Sequence, residues 1–161
     1  MLYSMKNAVK SNRLEHALAD GFTTLAVRIL SDGKRPITLV HKDIPLAPFF
    51  IEDEKTEKML LVNLVLIARN VREKIPKPDE NPSFLSRKAG SFSGVAQRTV
   101  QAWCEQGVVI PGVADTSGTG QRRLYSVTNC IEIGIVQSLA KEGLNFKLIR
   151  EIMSFLRGDE S

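Results

Sequence analysis

Hydrophobic and polar residues alternate along the first part of the chain in the pattern of short β-strands. The segment LAVRIL (25–30) places Leu, Val and Ile at every second position, and PITLVH (36–41) continues after the turn SDGK (31–34). Asp-Gly in this turn supplies the positive φ angles that a tight hairpin needs. A third strand is predicted at LAPFFI (46–51), where neighbouring prolines restrict it to a sheet edge.

Longer apolar segments predict two helices in the same part of the chain. The first covers about 5–19 and ends before Gly21, and the second covers about 53–74. The middle of the second helix is apolar on most faces, so other structure must cover more than one of its sides. It is either a core helix beneath the small sheet or a helix with one stripe facing a second subunit. That dimer-interface stripe consists of Leu60, Leu64, Ile67 and Val71.

The second part of the chain shows helical spacing interrupted by glycines. Four helices are predicted, at about 83–90, at 96–106, from 126 or 128 to 141, and after Asn145, which caps the last one. Gly107 and Gly143 end the second and third of these helices. The loop 112–121 between them is rich in Gly, Ser and Thr.

The segment IPKPDENPS (75–83) is the best candidate for a linker. It contains three prolines within seven residues and has little apolar surface to bury. We therefore place a linker at 76–82, between an N-terminal module (1–75) and a C-terminal domain (83–158). The expected fold class is α+β, with a small antiparallel sheet and helices followed by a mostly helical domain.

The composition is that of a folded, mildly basic protein. Apolar residues make up 43% of the 161 residues and charged residues 25%, and the net charge is +4 with a pI near 9.2. This balance is compatible with nucleic acid as a partner without establishing it. The N-terminus lacks an apolar signal segment, and the most apolar run, 59–68, is about half as long as a membrane span. We therefore expect a cytoplasmic protein without membrane contact.

The helices at 83–90 and 96–106 are separated by a short turn, as in a helix-turn-helix. Such a motif presents its second helix to the major groove of DNA, which accommodates an α-helix. That helix begins with Gln97, Arg98 and Thr99. Gln reads base edges, Arg bonds guanine or phosphate, and Thr bonds phosphate. These three residues, with Gln101 further along the helix, are the predicted DNA contacts of the recognition helix.

The stretch GTGQRRLYS (118–126) follows as a glycine-rich hairpin that carries two arginines. Its glycines allow a close approach of backbone to backbone. Arg122 or Arg123 can then reach phosphates or the minor groove, and Tyr125 can pack its ring while offering its hydroxyl to a phosphate. The stretch therefore predicts a wing that grips double-stranded DNA beside the recognition helix.

Three blocks in this order resemble the DNA-binding domain of the MerR family of bacterial transcription regulators. They are GVAQRTVQAWCEQGVVIP, GTGQRRLYS and GIVQSLAKEGLNFKLIREIM, and the resemblance covers about 83–157. The family's motifs correspond here to 98–99, 123–125 and 143–149. The resemblance implies a winged helix-turn-helix, followed by a second helix pair, in a protein that binds DNA and regulates transcription.

The sequence departs from the family pattern in two respects. Gln101 and Ala102 stand where the family carries an arginine and an aromatic residue associated with contacts to the DNA backbone. Family members also continue into a long dimerisation helix and an effector domain, whereas this sequence stops shortly after its last predicted helix. We therefore expect a homodimer formed through the N-terminal module, and the identity of any small-molecule effector is unknown.

These departures leave three interpretations open. The leading one is a sequence-specific DNA-binding regulator of transcription. The position of the C-terminus favours a second, an architectural or excisionase-like protein that shapes DNA. The residues at 101 and 102 support a third, a protein-interaction module that has lost its contact with DNA.

The sequence contains no recognisable motif for catalysis, a cofactor or a metal. GTGQRRL lacks the Lys-Ser/Thr pair of a P-loop, and Leu124 stands where a dinucleotide-binding loop needs glycine. His16 and His41 have no nearby Cys or His partner, and Cys104 and Cys130 are expected to be reduced packing residues. The sequence therefore predicts neither an enzyme nor a cofactor or metal site.

Overall fold

A computed structural model of the chain describes residues 13–46, 55–76, 82–113 and 123–159. Within these residues the protein is α+β, as the sequence predicts, with a small antiparallel sheet near the N-terminus and a mostly helical C-terminal part. The strands are β1 (Phe22–Leu30), β2 (Ile37–His41) and β3 (Thr56–Asn63). The helices are α1 (Arg13–Ala19), α2 (Leu64–Lys74), α3 (Ser86–Ser91), α4 (Gln97–Glu105), α5 (Val127–Lys141) and α6 (Phe146–Arg157).

The sheet has the order β2-β1-β3, and both pairs of strands are antiparallel. The predicted hairpin between β1 and β2 is confirmed, with Gly33 at a φ of 88° in its turn. Leu25 lies opposite Leu39 in β2 and Val62 in β3. Because alternate residues of a strand point to the same face, this register places Leu25 and Val27 on one side of the sheet together with Leu39, Leu60 and Val62.

The predicted helix at 53–74 is wrong, because residues 56–63 form β3 and only the second half of the segment is helical. The run MLLVNLVLIA (59–68) is apolar almost throughout, so its pattern does not distinguish a buried strand from a buried helix. The boundary lies at Asn63, whose Oδ1 accepts a hydrogen bond of 2.9 Å from the backbone N–H of Leu66 and so begins α2. The edge strand predicted at 46–51 lies almost wholly outside the described residues, as does the start of the helix predicted at 5–19.

The predicted dimer-interface stripe is not a surface in this structure. Leu60 belongs to β3, whereas the other three residues belong to α2, so the four do not share one helical face. Leu60, Leu64 and Val71 are 5%, 0% and 1% exposed, and Ile67 is half-buried against α5. These side chains build the protein's own core. Dimerisation through the N-terminal module stays a prediction, without this stripe as its basis.

In the C-terminal part the four predicted helices are confirmed as α3 to α6, within a few residues at each end. Gly107 and Gly143 follow α4 and α5 with φ of 75° and 81°, the left-handed conformation that ends a helix. Asn145 caps α6, since its Oδ1 accepts a hydrogen bond of 2.9 Å from the backbone N–H of Leu148. Local signals of helix ends were therefore reliable in this part of the chain.

α5 lies at the centre of the core and joins the two predicted domains. Its residues 128–136 are all buried, and α2, α3 and α6 contact it. α1 also packs against α6, and the guanidinium of Arg13 lies 5.5 Å from the ring centroid of Phe155. Side chains of both predicted domains thus form one hydrophobic cluster. The linker at 76–82 lies mostly outside the described residues, so the domain boundary stays a prediction.

The turn between α3 and α4 depends on a close approach at Gly90. A Cβ at this position would overlap the carbonyl oxygen of Val95 and lie 2.7 Å from Cγ2 of Val100. The carbonyl oxygen of Gly90 itself accepts hydrogen bonds from the backbone N–H groups of Ser93 and Val95. Gly94 completes the turn with a φ of 68°. The glycines near this turn therefore allow a short α3 to pack directly against α4.

We expect Gly90→Ala to destabilise the protein, because the added methyl group meets backbone that cannot move without displacing α4. Overpacking of this kind costs about 1–3 kcal/mol, so the free energy of unfolding measured in urea should fall by about 2 kcal/mol. Ser91→Ala, at the exposed neighbouring position, is the matched control and should change it by less than about 0.5 kcal/mol. Equal effects of the two variants would contradict the packing argument.

Candidate nucleic-acid interface

α4 presents polar side chains outward from its first two turns. Gln97, Arg98 and Gln101 are exposed and Thr99 is half-buried, whereas Val100 and Trp103 face the core at 0% and 6% exposure. The N-cap Ala96 provides no side-chain hydrogen bond to the first turn. The N–H groups at this end of the helix are therefore not capped by Ala96, and they carry the positive end of the helix dipole.

The outward residues of α4 form a continuous face. Gln97, Gln101 and Glu105 follow one another at intervals of four residues, and Arg98 lies beside them. We call these four residues the recognition face. It carries one positive charge near the start of the helix and one negative charge at its last residue, so its electrostatic character changes along the axis.

The base of the predicted wing is held by backbone hydrogen bonds. Phe84 and Tyr125 exchange two bonds of 2.8 Å each, and the N–H of Val113 donates to the carbonyl oxygen of Leu124 at 3.3 Å. Three chain segments therefore pair side by side next to the helix-turn-helix. The tip, with Arg122 and the glycines at 118 and 120, lies outside the described residues.

Arg123 lies beside the C-terminal end of α4. Its side chain is 26% exposed, and Nη1 lies 4.0 Å from Oε1 of Glu105, whose side chain is 68% exposed. A pair this open to solvent contributes little to stability. Its significance is geometric, because it places a wing arginine directly beside the recognition face.

Tyr125 is completely buried, with 0% of its surface exposed. The predicted contact between its hydroxyl and a DNA phosphate is therefore incompatible with the structure. The cause is the backbone pairing with Phe84, which turns the ring inward to pack in the hydrophobic core. The predicted packing role of the ring is confirmed.

Sequence reasoning missed Asn129, which holds both ends of the wing. It is 2% exposed, and its Oδ1 accepts hydrogen bonds from the backbone N–H groups of Gly112 at 2.7 Å and Ser126 at 2.9 Å. Its Nδ2 donates to the carbonyl oxygen of Ile110 at 2.9 Å. The signal available in the sequence was the spacing of Ser126 and Asn129, which form a capping box at the start of α5.

A buried ion pair lies next to Asn129. Oε1 of Glu132 accepts a hydrogen bond of 2.8 Å from Nδ2 of Asn129, and its Oε2 lies 3.9 Å from Nη1 of Arg157. Arg157 also donates from Nη1 to the carbonyl oxygen of Val108 at 3.2 Å and from Nε to Asp159 at 3.2 Å. Glu132 and Arg157 are 2% and 7% exposed. Burial raises the pKa of Glu132 to about 7, although Arg157 and the Asn129 hydrogen bond oppose this shift.

The described residues show little other chemistry. Cys104 and Cys130 form no disulfide within the described residues, and burial raises the pKa of Cys130 to about 12. Within the described ranges no three His, Cys, Asp or Glu side chains are grouped so that they could hold a metal ion. None of the helices in those ranges is both long enough and apolar enough to cross a membrane.

The pairing of α3 with α4, followed by α5 and α6, is the arrangement of a helix-turn-helix region with a second helix pair. Residues 87–156 match the family described as MerR HTH family regulatory protein. Residues 87–156 are thus similar to MerR-type helix-turn-helix regulators, which confirms the resemblance found in the sequence.

Among curated proteins, the chain is similar to uncharacterised HTH-type transcriptional regulators of Mycobacterium bovis and Mycobacterium tuberculosis. The identity is 29% over 80 residues, which is 50% of this chain and 36% of each relative. The matched segment thus spans about a third of the length of these relatives. No solved structure matches the chain significantly.

The raised pKa of Glu132 predicts a specific dependence of stability on pH. The carboxyl of Glu132 binds its proton more tightly in the folded protein than in the unfolded chain. Its contribution to the free energy of unfolding is therefore complete below about pH 4.5 and is lost as the pH rises towards about 7. A rise of this size in the pKa of Glu132 corresponds to about 3 kcal/mol of folding stability.

Glu132→Gln removes this titration and keeps an oxygen that can accept the hydrogen bond from Asn129. Urea unfolding of both proteins at pH 5 and pH 8 should show the parent protein losing more stability over this interval, by an amount on the order of 3 kcal/mol. Parallel losses in the two proteins would show that Glu132 does not titrate in this range. Glu151→Gln, an exposed change on α6, is the control and should follow the parent protein.

Proposed function

We propose that this protein binds double-stranded DNA through the recognition face of α4 and the adjacent wing, and that it regulates transcription. The observation that carries the proposal is the exposed polar start of α4 beside a wing base, within the segment that matches the MerR family. The names of the relatives as HTH-type transcriptional regulators support the regulatory part. Homodimerisation through the N-terminal module remains part of the hypothesis.

In this proposal α4 enters the major groove with its N-terminal end foremost. Gln97 and Gln101 are exposed and can hydrogen-bond to base edges, for which the amide suits adenine. Arg98 can bond guanine or a phosphate, and the hydroxyl of Thr99 can bond a phosphate near the helix start. Gln101 replaces the family's arginine, so at this position the proposal assigns a neutral contact rather than a phosphate pair.

The wing supplies the second contact with DNA. Arg122 is proposed to reach a phosphate or the minor groove beside the site of α4. The guanidinium of Arg123 lies next to the carboxylate of Glu105. A DNA phosphate would therefore compete with Glu105 for the guanidinium of Arg123. DNA binding would then exchange an exposed ion pair of small energy for a charge-assisted contact with the DNA backbone.

The direct test is selection of bound DNA from a random pool, followed by measurement of the dissociation constant at several salt concentrations. Arg98→Ala should weaken binding to the selected DNA about tenfold, which corresponds to the loss of one good contact. If Arg98 contacts a phosphate, the slope of log K against log salt should also fall by about one. Arg69→Ala, an exposed change on α2 away from the recognition face, is the matched control and should leave both quantities almost unchanged.

Absence of any retained DNA at low salt would reject the proposal and favour a protein-interaction module. Binding without sequence preference, accompanied by bending of the DNA, would favour an architectural protein. Equal weakening by Arg98→Ala and Arg69→Ala would mean that general charge, and not the recognition face, governs binding.

Glu105→Gln should strengthen binding to the same DNA. The change removes a negative charge from the recognition face and the carboxylate that competes for Arg123. Removing one like-charge interaction near the DNA backbone should lower the dissociation constant about two- to fivefold at low salt, with a smaller gain at high salt because of screening. A weaker complex would instead show that the Glu105–Arg123 pair is needed to hold the wing in its bound position.

A further inference from the structure

Both ends of the wing and the turn that follows α4 meet at a single buried side chain. Gly112 lies where the chain enters the wing, Ser126 lies where it leaves, and Ile110 lies in the turn just before. Asn129 bonds all three, at 2.7, 2.9 and 2.9 Å. These bonds attach both described ends of the wing segment to the first turn of α5, whose residues 128–136 are all buried.

The orientation of the Asn129 amide is fixed by its partners. Its oxygen faces two backbone N–H donors, and its NH₂ group faces two acceptors, the carbonyl oxygen of Ile110 and Oε1 of Glu132. A rotated amide would place donors against donors and acceptors against acceptors. Among the described partners of this amide, Glu132 lies outside the wing and its adjoining turn, so it holds the amide from the core side.

We propose that Asn129 is the positioning residue of the wing and that Glu132, held in turn by Arg157, keeps the Asn129 amide in the orientation that binds both wing ends. The use of the wing in DNA binding rests on the proposed function, whereas the positioning itself does not. Nothing in this inference requires Asn129, Glu132 or Arg157 to touch DNA, since all three are buried.

Arg157 extends the same arrangement to the end of α6. Its Nη1 donates to the carbonyl oxygen of Val108 at 3.2 Å and lies 3.9 Å from Oε2 of Glu132, while its Nε donates to Asp159. The segment 108–112 is therefore attached to α6 at its start and to α5 at its end. Buried groups that depend on one another in this way respond together when one is removed.

The charged and titratable groups that act on Glu132 are Arg157, Asp159 and the thiol of Cys130. Burial brings the pKa of Glu132 to about 7, so both protonation states are populated near neutral pH. A proton on Oε2 leaves Oε1 able to accept from Asn129. The positioning therefore requires an acceptor oxygen at residue 132 and not its negative charge, which distinguishes Glu132→Gln from an apolar replacement.

Amide hydrogen exchange in the full chain, without DNA, tests the positioning directly. Gly112 is exposed, yet its N–H is bonded to a buried side chain, so in the parent protein it should exchange at least about fivefold more slowly than an unprotected amide. Exchange of the Gly112 amide at the unprotected rate would overturn the inference without any variant.

Two variants of Glu132 complete this part of the test. Glu132→Leu has a similar side-chain size but no acceptor, and it should accelerate exchange at Gly112 about fivefold or more. Glu132→Gln retains an acceptor and should leave the rate near that of the parent. The N–H of Leu148 is the internal control, because another side chain, Asn145, bonds it at 2.9 Å at the start of α6.

Acceleration at Gly112 alone in Glu132→Leu supports the inference. Equal acceleration at Gly112 and Leu148 overturns it, because that result reports general loss of stability. Acceleration at Gly112 by about fivefold or more in Glu132→Gln, relative to the parent protein, also overturns it, and this comparison does not require the leucine variant to fold.

Affinity for the selected DNA then tests the use of the wing. Glu132→Leu should weaken binding severalfold and reduce the salt slope, because fewer phosphates are held, whereas Glu132→Gln should do neither. Accelerated exchange at Gly112 with unchanged binding and slope would support the positioning role and count against the wing as a DNA contact. Failure of the proposed function and failure of this inference therefore give different results.

Discussion

The burial of α5 is the constraint on which the rest of the structure depends. Residues 128–136 of this helix are all buried, which is possible only when other elements cover every side of it. α2 comes from the N-terminal part, α3 from the helix-turn-helix and α6 from the C-terminal end, and each contacts α5. The position of the helix-turn-helix is therefore set by packing against a helix that it shares with the N-terminal sheet and helices.

Two polar residues inside this apolar helix explain how the core reaches the candidate interface. Asn129 and Glu132 are each 2% exposed, and a buried polar group without partners would cost several kcal/mol. Their partners are the backbone of the wing base and of the turn after α4, together with Arg157. The requirement that buried polar groups be satisfied thus fixes loops that side-chain packing alone would leave free to shift.

Features that depend on neighbouring residues were predictable from the sequence, and features that depend on long-range pairing were not. The ends of α4, α5 and α6 follow from glycines and caps within a few residues, and the exposed start of α4 follows from its position in the helix-turn-helix. The division of 53–74 into β3 and α2 was missed, because β3 pairs with a strand far earlier in the chain, with Thr24 opposite Asn63 and Leu30 opposite Thr56. The burial of Tyr125 depends likewise on Phe84, and the pairing of Glu132 with Arg157 joins separate helices. No local pattern contains such information.

Gly134 shows how closely the N-terminal part and the helix-turn-helix are joined. A Cβ at this position would lie 2.8 Å from Cγ2 of Ile67 in α2 and 2.9 Å from Oγ of Ser93 in the turn before α4. One glycine of α5 therefore lets both elements pack against the same point of the helix. Interiors are close-packed, so a shift of α2 at this contact must be taken up by α5 or by that turn. Since α5 begins at Ser126 and Asn129, where the wing ends are bound, the same helix connects the N-terminal sheet and helices with both parts of the candidate interface.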